Sequence, residues 1–108
     1  MTTDKEKVLR AAEIVETNWT QGSNARDAKG NRVLWDDPTA VSFCMLGAMH
    51  KASFGPFGND QDSPIFKQLQ LFVRRRHGTP FPWQFNDRDG TTAEMVATEL
   101  RDFAETLP

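Results

Sequence analysis

Helix-starting and helix-stopping signals cut this chain into short pieces and constrain its fold more than any other feature. Asp37-Pro38 and Ser63-Pro64 each set a side-chain acceptor ahead of a proline, and Gly78 is followed by Pro80 and Pro82. Proline is tolerated at the first helical position because the N–H it lacks would have had no partner there, and glycine ends helices in the left-handed conformation. Each element must fit between these marks. With 108 residues, the chain has room for one domain.

The first helix starts near Thr3 or Asp4, whose oxygens can accept from first-turn amides, and Val8, Ala11, Ala12 and Val15 follow helical spacing. Beyond Trp19 the pattern turns polar and glycine-punctuated, and the spacing predicts a short hairpin pairing 23–27 with 32–35 around Lys29-Gly30-Asn31. Asp37-Pro38 then predicts a second helix over 39–52. It is apolar nearly all round, with Val41, Cys44, Leu46, Ala48 and Met49, which marks the central helix. A third helix is expected over 64–77, after a loop over 54–62, with Ile65, Leu69, Phe72 and Val73 on one side. Pro80 and Pro82 make the following segment extended. Thr91-Thr92-Ala93-Glu94 has the form of a capping box opening a last helix with Met95, Val96, Leu100, Phe103 and Leu107. The expected fold is mainly α (α+β), about four helices with a two-stranded hairpin between helices 1 and 2, in one domain spanning 1–108.

Charge and composition narrow the function classes. Hydrophobic residues are 38% of the chain, charged residues 26%, and the formal net charge is −2, so the sequence can fold and offers no general attraction to polyanions. Nucleic acid is therefore not the expected partner. No apolar run nears the roughly 18 residues that cross a bilayer, and the N-terminus lacks a signal-peptide core. A cytoplasmic protein without a membrane partner is expected. The one cysteine, Cys44, permits no internal disulfide and no Cys-x-x-Cys site.

Four segments carry a resemblance: Trp19-Thr20-Gln21-Gly22, then Ala25-Arg26-Asp27, then Cys44-Met45-Leu46-Gly47-Ala48, and Asn86-Asp87 with Gly90 and Thr92. In that order they resemble a family of small bacterial and phage proteins of unknown function, whose Trp-Thr-Gln-Gly, Ala-Arg-Asp, Cys-x-x-Gly-Ala and Asn-Asp-x-x-Gly-x-Thr segments recur. The likeness covers most of the chain and departs over 54–82, which is longer and more aromatic, and at Asp89. It implies a shared fold and assigns no catalytic residue.

Cys44 is the candidate nucleophile, since a thiolate beside a histidine that an Asn or Asp orients is the arrangement of cysteine hydrolases. Gln21, Cys44, His77 (or His50) and Asp87 (or Asn86) supply those types, with Gln21 as an oxyanion donor. Against this, the predicted helix places Cys44 two turns from its N-terminus among apolar neighbours, and His50 falls on a different face. A buried inert thiol outweighs the nucleophile. The acidic pieces Asn59, Asp60, Asp62 and Asn86, Asp87, Asp89 offer oxygen ligands, yet aligning Gly90 with the glycine of a calcium loop puts Phe85 and Val96 at ligand positions. Turn and cap chemistry is the better reading, with Asn86 or Asp87 bonding backbone at the entry of the last helix. No metal and no cofactor is expected.

Eight Phe and three Trp stand against no Tyr, and seven of these aromatics fall between positions 54 and 85. Phe54, Phe57, Phe81, Trp83 and Phe85 lie in predicted loops, and the Arg74-Arg75-Arg76-His77 run precedes the last three. A cationic run also suits a helix C-terminus with no ligand at all. Arg and aromatic side chains dominate interface hot spots. The leading expectation is a non-enzymatic module that binds a protein partner through Arg74, Arg75, Arg76, Phe81, Trp83 and Phe85, an inhibitor or anti-defence protein being one form of it. The alternative is a cysteine-dependent hydrolase or transferase using Cys44. A pocket lined by Trp19, Gln21 and Asn86 is a third, provided those segments meet in space.

Overall fold

The computed structural model describes residues 3–54 and 64–108, with only the backbone of Phe54 described. The chain runs α1 (Asp4–Thr17), β1 (Ala25–Arg26), β2 (Arg32–Val33), β3 (Ser42–Phe43), α2 (Met45–Phe54), α3 (Ile65–His77), α4 (Pro82–Asp87) and α5 (Ala93–Glu105). Thr3 caps α1 by accepting from the Glu6 N–H at 3.1 Å, and Val8, Ala11, Ala12 and Val15 are fully buried, as their spacing requires. That stripe packs mainly on α5, which buries Val96, Ala97, Leu100, Phe103 and Ala104, and then on α2.

The sheet is antiparallel with order β2-β1-β3. Its first two strands are the expected hairpin, shortened to two residues each, with Ala25 opposite Val33. Asp27 closes the turn, its Oδ1 accepting from the Lys29 and Asn31 amides at 2.9 Å each. The third strand corrects the expectation of a helix over 39–52. Asp37 does receive the Thr39 N–H at 2.8 Å, but in a turn that leads into extended backbone. Phe43 then pairs with Ala25 on one side and bridges Trp19 on the other, and α2 starts only at Met45. A side-chain acceptor before proline opens turns as readily as helices, and the strand partners decide between them.

Two further corrections concern the C-terminal half. The segment after Gly78 is not extended throughout: Pro82 begins the short helix α4, and the Phe81 N–H donates to Gln84 Oε1 at 3.0 Å. Proline at a first helical position explains this, the same rule that the sequence applies elsewhere. The cap of α5 is Thr92, which accepts from the Met95 N–H at 3.2 Å. Thr91 instead is buried and donates its hydroxyl to the Phe85 carbonyl at 3.0 Å, fastening α4 to the start of α5. Helix α3 ends as expected at Gly78, in the left-handed region at φ +75°. The Ser63 cap and the 55–62 part of the loop lie outside the described residues. Among the described residues no helix is long and apolar enough to cross a membrane.

Candidate functional site

Asn86 is where the segments come together. It is fully buried, and all four of its side-chain hydrogen-bonding positions are used. Oδ1 accepts from the Trp19 indole at 2.7 Å and from the Met45 N–H, at the first residue of α2, at 2.9 Å. Nδ2 donates to the Thr20 carbonyl at 3.1 Å and to Asp87 Oδ1 at 2.9 Å. Asp87 Oδ1 also receives the Gly22 N–H at 3.0 Å. These contacts correct the expectation that Asn86 or Asp87 serves the entry of the last helix. Both instead tie α4 to the Trp19–Gly22 segment, and Asn86 ties it to the head of α2.

Gln21 is committed to the same framework, its amide donating to the Asn86 carbonyl at 3.0 Å and the Arg88 carbonyl at 3.4 Å. Arg26, which sequence reasoning did not single out, holds the segment from the other side. Its guanidinium donates to the Gln21 carbonyl at 3.0 Å, Thr20 Oγ1 at 3.0 Å and the Gly30 carbonyl at 2.9 Å. Its place in Ala25-Arg26-Asp27 was the only sequence signal.

Cys44 lies at the helix terminus and not inside the helix, which overturns the placement two turns in. Its carbonyl accepts from the Ala48 N–H at 2.8 Å and its Sγ from the Gly47 N–H at 3.3 Å, the geometry of a residue capping α2. Its thiol donates to Asn24 Oδ1 at 3.6 Å. The side chain is 2% exposed, and burial pushes the thiol pKa up. The Gly47 and Leu46 amides pull it down less, and the nearby Asp87 charge adds to the rise. A helix N-terminus ordinarily favours thiolate, so desolvation prevails here.

Beside Cys44 lies a cavity of about 210 Å³ lined by Gly22, Ser23, Asn24, Cys44, Trp83 and Asp87. Two catalytic candidates, Cys44 and Asp87, thus share a wall. His77 does not line it. Its Nε2 is 2.9 Å from Glu99 Oε2, its ring stacks on Phe85 at 4.2 Å, and it lines a second cavity with Arg76 and Glu99. His50 is stacked between Trp35 at 5.6 Å and Phe66 at 4.8 Å, and burial lowers its pKa. The structure therefore does not assemble a cysteine–histidine pair from the expected residues.

The Arg-aromatic segment divides. Arg76 is held by Glu99 at 3.1 Å and Asp102 at 2.9 Å and lies over the Phe72 ring. Phe85 is 2% exposed, so its ring belongs to the core and not to the surface expected for it. Arg74 and Arg75 are exposed, with no ion pair among the described residues. Phe81 and Trp83 are each 46% exposed, their rings within 7° of parallel and 6.5 Å apart. Phe57 lies outside the described residues, as does the Phe54 side chain; so do Asn59, Asp60 and Asp62. Among the described residues no three His, Cys, Asp or Glu side chains gather as a metal site would need.

A small helical protein with a three-stranded sheet, knotted together at one buried asparagine, is the class that fold and site define. Over residues 1–106 the chain matches a family of unknown function (DUF6197), and it belongs to that family. No curated protein and no solved structure is significantly similar to it.

Proposed function

We propose that this protein is a non-enzymatic interaction module whose partner is a protein with an acidic surface. The observation that carries the reading is the parallel pair Phe81 and Trp83, both nearly half exposed at the head of α4. A small fold that had room for these rings in its core would gain by burying them. The neighbouring helix supplies the charge. Lys67, Leu71, Arg74 and Arg75 recur at helical spacing on the exposed side of α3, and Gln70 donates to the Pro80 carbonyl at 3.1 Å, holding the segment before Phe81 against that helix. Every acidic residue of this net-acidic chain lies outside 64–86. A cationic face with aromatic anchors fits an acidic protein surface carrying an apolar patch. Blocking a bacterial or phage machine, as an inhibitor or anti-defence protein does, is the finer form of this reading, with a cytoplasmic setting.

The enzyme alternative is weaker on the same geometry, since the Cys44 proton is given to Asn24 and no histidine lines the cavity. The test is crosslinked capture from the source cells followed by titration of the purified partner. Arg74→Glu with Arg75→Glu, and separately Trp83→Ala, should each weaken a saturable complex about tenfold or more without lowering thermal stability. A recovered partner that binds both variants as tightly as the native chain refutes the proposal, as does capture of nucleic acid alone.

A further inference from the structure

The cavity beside Cys44 holds one carboxylate, Asp87, that the fold uses only in part. Three donors on its wall are spent within the fold: the Gly22 N–H on Asp87 Oδ1 at 3.0 Å, the Ser23 hydroxyl on the Ala25 carbonyl at 2.8 Å, the Cys44 thiol on Asn24 Oδ1 at 3.6 Å. One acceptor is not. Asp87 Oδ1 takes two hydrogen bonds, while Oδ2 takes none and the carboxylate meets no cation among the described residues. The two arginines closest in the network are engaged elsewhere. Arg88 donates to the His77 carbonyl at 3.1 Å and lies over Phe85, and Arg26 is spread over the Gln21 and Gly30 carbonyls. Trp83, a π surface attractive to cations, completes the wall.

We infer that this cavity binds a cationic nitrogen group, a guanidinium or a primary ammonium, with Asp87 as its counter-charge and Trp83 as its aromatic wall. A carboxylate fixed by two donors on one oxygen presents the other to a charged donor, the strong form of hydrogen bond. The volume of about 210 Å³ fits such a head group with a few methylenes and falls short of the roughly 300 Å³ where drug-sized sites begin. The cation can belong to a free small amine or to the Arg or Lys side chain of a protein. The inference stands apart from the acidic-partner reading, which rests on Arg74, Arg75 and Phe81 and shares only Trp83.

The experiment uses the full ¹⁵N-labelled chain at low ionic strength with three probes: agmatine for a free amine, an end-blocked Gly-Arg-Gly peptide for a protein side chain, and neutral pentanamide. A cationic probe should move the Gly22 amide and Trp83 indole resonances saturably, with a Kd below about 10 mM. The tighter of the two cationic probes identifies the source. Asp87→Asn keeps an oxygen for Gly22 and Asn86 but drops the charge, and should weaken binding roughly tenfold. Trp83→Ala alters an exposed ring, so it tests the wall even if the Asp87 variant folds poorly, and it too should weaken binding. Arg10→Ala, at an exposed position of α1, should leave the affinity as it was. Absence of saturation by either cation, equal binding of pentanamide, or unaltered affinity in both the Asp87 and Trp83 variants overturns the inference.

Discussion

Replacing Asn86 with alanine removes, in one step, the contacts that hold three segments together. Four hydrogen bonds disappear, to the Trp19 indole, the Met45 N–H, the Thr20 carbonyl and Asp87. At a net contribution of about 1 kcal/mol each, the loss is about 4 kcal/mol, and it is not recovered from solvent where the orphaned group is the buried Met45 amide. Domains of this size are stable by about 5–15 kcal/mol, and each kcal/mol shifts Tm by about 4–8 °C, so Asn86→Ala should melt about 15 °C or more below the native chain. Asn86→Asp sharpens the test. The introduced carboxyl keeps an acceptor for Trp19 and Met45 but turns a second oxygen toward the Thr20 carbonyl and the Asp87 carboxylate. Burial and that neighbour raise its pKa in the folded state, so the native state binds more protons than the unfolded chain. Its deficit against the native chain therefore grows as pH rises from about 4, the unfolded aspartate value, to neutrality. Urea titrations at several pH values with a shared m-value measure both effects. An Asn86→Ala variant within about 1 kcal/mol of the native chain would refute the view that this residue joins the segments.

The other perturbations are simpler. At Gly47 an added Cβ would sit 1.9 Å from the Asn24 carbonyl oxygen, so Gly47→Ala must push α2 off the backbone that precedes β1 and should cost about 3 kcal/mol in chemical denaturation. Glu99 is 3% exposed and meets Arg76 at 3.1 Å and His77 at 2.9 Å. Glu99→Ala removes the buried carboxylate that both face, while Asp102 still holds Arg76, and should lower stability by about 1–3 kcal/mol, read by thermal melting. The raised thiol pKa of Cys44 makes the native protein react with iodoacetamide at pH 8 more slowly than a peptide cysteine, and a faster rate would revive the enzyme reading. By linkage, a raised acid pKa means that the fold loses stability as pH rises through the unfolded thiol value of about 8.5, a decline that Cys44→Ser should lack.

How much of this was legible in the sequence depends on how local each decision is. Helices α1, α3 and α5 follow from apolar spacing, because burying Val8 with Ala12 and Val15, or Leu69 with Val73, needs only the helical period. The start of α2 was not legible, since Asp37-Pro38 reads the same before a helix and in a turn. The deciding partners of Phe43, Ala25 and Trp19, lie far back in the chain. The short α4 was missed for the opposite reason: two prolines were read as excluding a helix when Pro82 stood where one can begin. At the site, residue types were visible but their meeting was not. The Trp19–Asn86 bond spans 67 positions and the Met45–Asn86 bond 41, and no periodicity encodes such distances. The aromatics of this segment divided by topology too, Phe85 turning inward two residues after Trp83, while Phe81 and Trp83 stay out.

The spacing Cys-x-x-Gly becomes intelligible once Cys44, Gly47 and Asn24 are taken as one unit. The thiol at the cap accepts from the amide three residues on, which is Gly47. The same turn must pass Asn24 so closely that only glycine fits, and that closeness lets the Asn24 carbonyl take the Cys44 N–H at 3.2 Å while its side chain takes the thiol proton. On this account the cysteine serves as a capping donor and acceptor rather than a nucleophile. A hydroxyl performs the same two roles and is among the preferred capping groups, whereas a methyl performs neither. Cys44→Ser should therefore stay within about 1 kcal/mol of the native chain, and Cys44→Ala should lose about 1–2 kcal/mol. Equal losses in both, measured by urea unfolding, would mean that the sulfur is kept for its bulk in the core and that the capping unit is incidental.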